Sequence, residues 1–110
     1  MTSTDTKYKP KGLYIGGKWL DGTSGKVLAS INPATGEKLG EVVWAHDEDV
    51  NTAVDAAKRG FAEWRNVPLA ERSVCLERLA CRILDHVEEL ALLDTYDSGN
   101  TVTGMRSDVK

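Results

Sequence analysis

The residues in this chain that could do chemistry are two cysteines, two histidines, a spread of carboxylates and several closely spaced glycines. Cys75 and Cys81 fall in one helical pattern. Six residues along a helix give a rise of about 9 Å and side chains about 120° apart. A mutual disulfide there is geometrically poor. Neither cysteine has a histidine beside it to draw off its proton, so both read as packed thiols and not as nucleophiles. Reduced thiols point to a cytoplasmic compartment. No second thiol or histidine pair stands at zinc spacing. His46 and His86 have acidic neighbours, Asp47 and Asp85, and could each act as a general base. No nucleophile is paired with either. His46 falls at a helix N-cap or its flank, and His86 at a break between helices. Most carboxylates, Glu77 and Glu88 among them, fall on solvated helix faces.

The glycines raise the question of a phosphate-cradling loop. In "SINPATGEKLGEV", Gly36 and Gly40 lack the G-x-G-x-x-G spacing of a dinucleotide loop, and a strand follows where a helix is needed. Gly99 and Gly104 have P-loop spacing, but Met105 and Arg106 stand where Lys and a hydroxyl belong. Turn and cap chemistry is the better reading of both pairs. Composition and spacing by themselves therefore yield no catalytic residue and no cofactor-binding residue.

The elements around these residues divide in two. The first half reads as β-hairpins. "LYIGGKWLDG" sets two apolar and aromatic runs around Gly16-Gly17. "KVLASI" and "KLGEVVW" flank a turn in which Pro33 presets φ and Gly36 takes the left-handed position. The second half reads as two to three amphipathic helices. Val50, Ala53, Val54, Ala57, Phe61 and Trp64 form one stripe. Acidic residues Asp47 to Asp49 load its first turn, and Val67-Pro68 stops it. A second helix starts at Pro68. Its stripe runs through Leu76, Leu79, Ala80, Ile83 and Leu84 to Val87, Leu90 and Ala91. Nearly thirty residues is long for one helix, so a break is expected at Asp85-His86, with Asp85 capping a third helix. Gly99 is placed to cap its far end.

The chain has 110 residues, 41% hydrophobic and 28% charged, with a net charge of −3 and a pI near 5.3. That balance fits one soluble domain or part of one. It argues against a nucleic-acid partner, which asks for a basic field. No run is apolar enough for a membrane span, and residues 1–12 read as a flexible lead without a signal peptide. At 6% aromatic, with a single Phe, the core is thin, and a further layer from more chain or a partner would complete it.

The ordered series "YIGGKWLDG", "INPATGEKLGEV", "DEDVNTAVDAAKRGFAEWRNVPLAER", "LERLACRILDHVEELALLDTYDSGN" and "SDV" resembles the N-terminal segment of the aldehyde dehydrogenase superfamily. The likeness runs from about Leu13 to Val109 and ends in the opening turns of a helix. It implies an α/β fold, with residues 13–110 as the outer, incomplete part of a Rossmann-like cofactor-binding domain. It also implies NAD or NADP as cofactor, an aldehyde as substrate and a homo-oligomer, dimer or tetramer, as the full-length enzyme. In that family a catalytic Cys forms a thiohemiacetal, hydride passes to the nicotinamide, and a Glu-activated water releases the acid. Those residues lie downstream of the matched segment. Cys75, Cys81, Glu77 and Glu88 do not correspond to them, so the chain by itself is expected to be inactive. Members resembling betaine aldehyde dehydrogenase hold a monovalent cation beside the Asn-Pro turn. The matching positions are Ser30, Ile31 and Asp97, hard oxygen donors suited to such an ion. The plain alternative is that Asp97 only caps its helix or faces solvent. Asn100-Thr101 stands where the family often has Lys-Pro. A reading of another class is a free-standing binding or assembly module, derived from such an enzyme, that docks through an exposed apolar helix face.

Overall fold

The computed structural model of the chain describes residues 12–110. The flexible lead expected at 1–12 falls, apart from Gly12, outside the described residues. Two small ribbons come first. Strand β1 (Leu13–Ile15) pairs antiparallel with β2 (Lys18–Leu20), with Tyr14 opposite Trp19. The two residues between them, Gly16 and Gly17, both have positive φ, 59° and 80°, which a tight primed turn requires. Strand β3 (Val27–Ile31) pairs with β4 (Lys38–Val43) across the Asn-Pro turn. Four helices follow: α1 (Asp47–Trp64), α2 (Leu69–Asp85), α3 (Val87–Ser98) and α4 (Val102–Val109). The mixed α/β content matches the expectation. The helix count exceeds the two to three expected, because Val102–Val109, read as the opening turns of a helix, are counted as one of their own.

The chain separates into two compact units. One comprises the described residues up to Ser30 together with Gly40–Asn66, and the other Ile31–Leu39 with Val67–Lys110.

In the first unit the β1–β2 ribbon alternates. Leu13 and Ile15 are half-buried, while Tyr14 faces out, as period-two geometry demands. Tyr14 and Trp19 meet across the strands on that outer face in a tilted arrangement, with ring centroids 4.9 Å apart. Helix α1 approaches the ribbon's turn with Ala56, whose Cβ would lie 3.8 Å from a Cβ on Gly16, and the loop after β2 with Asp49. Its larger stripe was expected to be its core face, but Val50, Val54 and Phe61 are 52%, 47% and 64% exposed. Ala56, which is not part of that stripe, is the residue beside the ribbon's turn, and the large members of the stripe are left outside. The helix ends as expected before Val67-Pro68. Asn66 closes it, its side-chain amide donating to the Ala62 carbonyl at 2.9 Å.

In the second unit α3 packs on α4, and Val87 and Ala91 are the buried apolar residues. The helix break falls where expected, but the capping residue is His86, and Asp85 is the last residue of α2. His86 sits at φ −117° and ψ 17°, outside the helical well. Its Nδ1 donates back to the Arg82 carbonyl at 2.8 Å, so its ring closes α2. Pro68 likewise precedes α2 as its N-cap in extended conformation, one position before the helix expected to begin with it. Thr101 caps α4, its hydroxyl accepting from the Gly104 amide.

Candidate functional site

Two polar clusters stand out, one in each unit. The first is built on the turn between β3 and β4. Asn32 is buried, and its side-chain oxygen accepts from the Ala34 amide at 2.9 Å. Its backbone exchanges hydrogen bonds with Glu37 and Gly36, each 2.8 Å. Asn and Pro suit this geometry because the Asn side chain mimics a turn and Pro supplies its φ. Gly36 closes the turn at φ 74°, so the glycine pair of the opening question belongs to a strand reversal.

Pro33 of this turn packs on the end of α3. A Cβ on Gly99 would lie 3.0 Å from Pro33 Cγ. Gly99 has φ 78° and donates its amide to the Thr95 carbonyl at 2.9 Å, the left-handed helix cap expected of it. The contact brings the turn to the C-terminal end of α3, where Asp97 sits. Ile31 and Asp97 belong to the second unit, whereas Ser30 closes the first stretch of the other. Ile31 and Asp97 are exposed and Ser30 is half-buried. Among the described residues, no three His, Cys, Asp or Glu side chains gather as a metal-binding group. Cys75 and Cys81 are free thiols, and both are exposed on α2, not packed as expected.

The second cluster was not legible as a site. Asp49 is only 7% exposed. One carboxylate oxygen accepts from the Thr23 amide at 3.0 Å, the Thr23 hydroxyl at 3.1 Å and the His46 amide at 2.8 Å. His46 is the N-cap of α1 and Asp49 its third residue, so this is the reverse arm of a capping box. Extended to Thr23, it ties the loop after β2 to the start of α1. The Thr23 amide, then the His46 amide, hold the Asp49 carboxyl below the ordinary carboxylate range. In the second unit the Arg106 guanidinium donates to Glu88 at 2.6 Å and lowers the Glu88 carboxyl in the same direction. A carboxyl whose pKa is depressed by folding stabilises the fold above its unfolded pKa, near about 4, and loses that contribution as pH falls through the folded value. The expected outcome is a stability that declines below about pH 4, with a smaller acid dependence in Asp49→Asn. Urea midpoints measured between pH 3 and 6 check this. An unchanged acid slope in the variant defeats the assignment.

No described helix is long and apolar enough to cross a membrane.

The hairpin, the Asn-Pro turn packed on the capped end of α3 and the helix series define a mixed α/β segment that recurs in known proteins. The aldehyde dehydrogenase family profile matches residues 19–110. The chain belongs to the aldehyde dehydrogenase family. It is 43% identical over 89 residues to a betaine aldehyde dehydrogenase of Vibrio vulnificus, covering 81% of this chain and 18% of that protein. It is 43% identical over 99 residues to malonate-semialdehyde dehydrogenase 2 of Geobacillus thermodenitrificans, covering 90% of this chain and 20% of that protein. Among solved structures, an NAD-dependent aldehyde dehydrogenase from Sinorhizobium meliloti superposes with a TM-score of 0.86 at 31% identity, over 92% of this chain and 20% of that one. The chain thus spans about a fifth of the length of the relatives it matches.

Proposed function

We propose that this chain acts as the N-terminal portion of an NAD(P)-dependent aldehyde dehydrogenase that oxidises an aldehyde to a carboxylic acid. Residues 13–110 form the outer part of its cofactor-binding domain. The family match running unbroken through residues 19–110 carries this reading. The catalytic Cys and Glu come from other chain, so this portion supplies scaffold and not chemistry. NAD or NADP, when bound, accepts the hydride. Gly36 ends a turn, Gly99 caps α3 and Gly104 lies within α4, which supports reading these three as turn and cap glycines. Ser30 and Ile31 carbonyl oxygens and the Asp97 carboxylate hold a monovalent cation at the end of α3. The enzyme is cytoplasmic, which suits exposed thiols. It works as a homo-oligomer, and its partners are the aldehyde and its own subunits, with no nucleic acid and no membrane.

The experiment is a chimera in which this chain replaces the matching segment of the Geobacillus enzyme. The chimera is expected to fold and to reduce NAD with malonate semialdehyde. The 110-residue chain alone is expected to make no NADH under the same conditions. Activity from the pure chain, or a soluble chimera without activity, would overturn the proposal. A free-standing module would instead show a cooperative thermal transition by itself. The small apolar core of the second unit, Val87 and Ala91, weighs against that alternative.

A further inference from the structure

Position 22 requires glycine. Gly22 holds φ 76°, and a Cβ there would lie 2.9 Å from Val43 Cγ1 and 3.4 Å from Leu13 Cδ1. Any other residue meets backbone strain and a crowded wall together. The fold thereby fixes an Asp-Gly bond, Asp21-Gly22, and no other Asp-Gly or Asn-Gly pair occurs in the sequence. The bond lies in the loop after β2, outside any strand or helix, with Asp21 exposed. Neither the Asp21 carboxyl nor the Gly22 amide makes a hydrogen bond to another described residue. An aspartyl carboxyl stands one small ring closure away from the amide nitrogen that follows it. With glycine as the second residue, no side chain hinders that approach. Asp55-Ala56 and Asp97-Ser98 also have small second residues, but both lie within helices, whose hydrogen bonds engage the following amide.

We infer that Asp21-Gly22 is a site of spontaneous covalent isomerisation in the folded protein, and that the change unfastens the loop after β2 from α1. The Gly22 nitrogen attacks Asp21 Cγ. A C–N bond forms, and the carboxyl hydroxyl leaves as water with the amide proton, giving a cyclic imide. Water then reopens the ring. Cleavage between the nitrogen and Cγ restores aspartate. Cleavage between the nitrogen and the Asp21 backbone carbonyl carbon leaves isoaspartate, with the main chain routed through Cβ. Water is lost and regained, so the mass is unchanged and no oxidant is needed. The product carries one more main-chain bond, about 1.5 Å long, just before Thr23. The Thr23 amide and hydroxyl donate to Asp49 Oδ2 at 3.0 and 3.1 Å, and the lengthened chain does not keep both.

The test incubates the chimeric enzyme at neutral pH and physiological temperature. Trypsin, cutting after Lys18 and Lys26, isolates residues 19–26, and enzymatic methylation of isoaspartate measures the product beside the same peptide made synthetically. Isoaspartate is expected to accumulate at Asp21 within about tenfold of the free-peptide rate, since a loop that had to open first would be slowed by its opening equilibrium. The Thr23 amide, protected at the outset, should gain a fast-exchanging fraction equal to the isoaspartate fraction. Asp21→Asn, which reaches the same imide by losing ammonia, should convert faster and show the mass gain of deamidation. Asp21→Glu, whose extra methylene enlarges the ring, should show no conversion and steady Thr23 protection. Four results overturn the inference: a rate slower than the peptide's by more than that factor, faster conversion at Asp55 or Asp97, conversion that leaves Thr23 exchange unmoved, or a Thr23 amide unprotected from the start. None of these readouts uses dehydrogenase activity, so this inference and the functional reading fail separately.

Discussion

Asp49→Ala is expected to release the loop after β2 from the start of α1. Three donors converge on one carboxylate oxygen, and two belong to a residue 26 positions away. Removing the acceptor leaves the Thr23 and His46 amides without their partner, and an unmade hydrogen bond costs more than a made one contributes. Exchange of the Thr23 and His46 amides, followed in the chimeric enzyme, should accelerate by about tenfold or more, because such exchange reports local opening. Asp49→Asn keeps an acceptor oxygen but loses the charge that strengthens all three bonds, so it should fall between wild type and Ala. Thr23→Val removes the hydroxyl donor but keeps the backbone donor, and its effect should be the smallest of the three. Equal exchange rates in wild type and Asp49→Ala would sink the claim that this carboxylate joins the two segments.

Gly99→Val is expected to be the most damaging single change at the Asn-Pro turn. Gly99 holds φ 78°, where an L-residue loses about 1–2 kcal/mol. A Cβ there would also lie 3.0 Å from Pro33 Cγ, and crowding of that kind adds about 1–3 kcal/mol. The two costs are separable. Gly99→Ala pairs both penalties with the smallest side chain, and Pro33→Ala in the same molecule should recover the crowding and not the strain. A double-mutant cycle on urea midpoints of the chimera reads the coupling. If the two substitutions are simply additive, Pro33 does not bear on Gly99, and the turn is not seated on α3. The same seating underlies the proposed cation site, so Gly99→Val should also remove any potassium- or sodium-dependent stabilisation that Asp97→Ala removes.

Much of the local structure was legible from residue types alone. Gly16-Gly17 and Asn32-Pro33 with Gly36 mark reversals because few residues can take those backbone angles. The left-handed cap at Gly99 and the stop at Val67-Pro68 follow from equally local rules. The break at His86 was legible from helix length, but its capping residue was not. Asp85 is the better cap by type, yet the ring of His86 reaches the Arg82 carbonyl, and that geometry exists only once α2 is wound. The Asp49 cluster left one signal in the sequence. An acid stands three residues after the residue at the helix start, the spacing of a capping box. Its partner Thr23 left none, because nothing in a linear pattern pairs positions 23 and 49. Glu88, read as a solvated carboxylate, pairs with Arg106 for the same reason: the two meet only when α3 packs on α4.

The sequence by itself determined the reversals, the helix boundaries to within a residue or two, and the family, since these rest on backbone preferences and on the order of short motifs. The tertiary structure decided which faces those elements bury. Helix α1 meets the ribbon's turn through Ala56 and the loop after β2 through Asp49, and leaves Val50, Val54 and Phe61 outside. Helix α2 buries nothing. An apolar stripe says that a face seeks cover, but not which neighbour supplies it, because hydrophobic burial has no direction of its own. In the first case a small residue, Ala56, lies beside the ribbon, and in the second the stripe stays exposed.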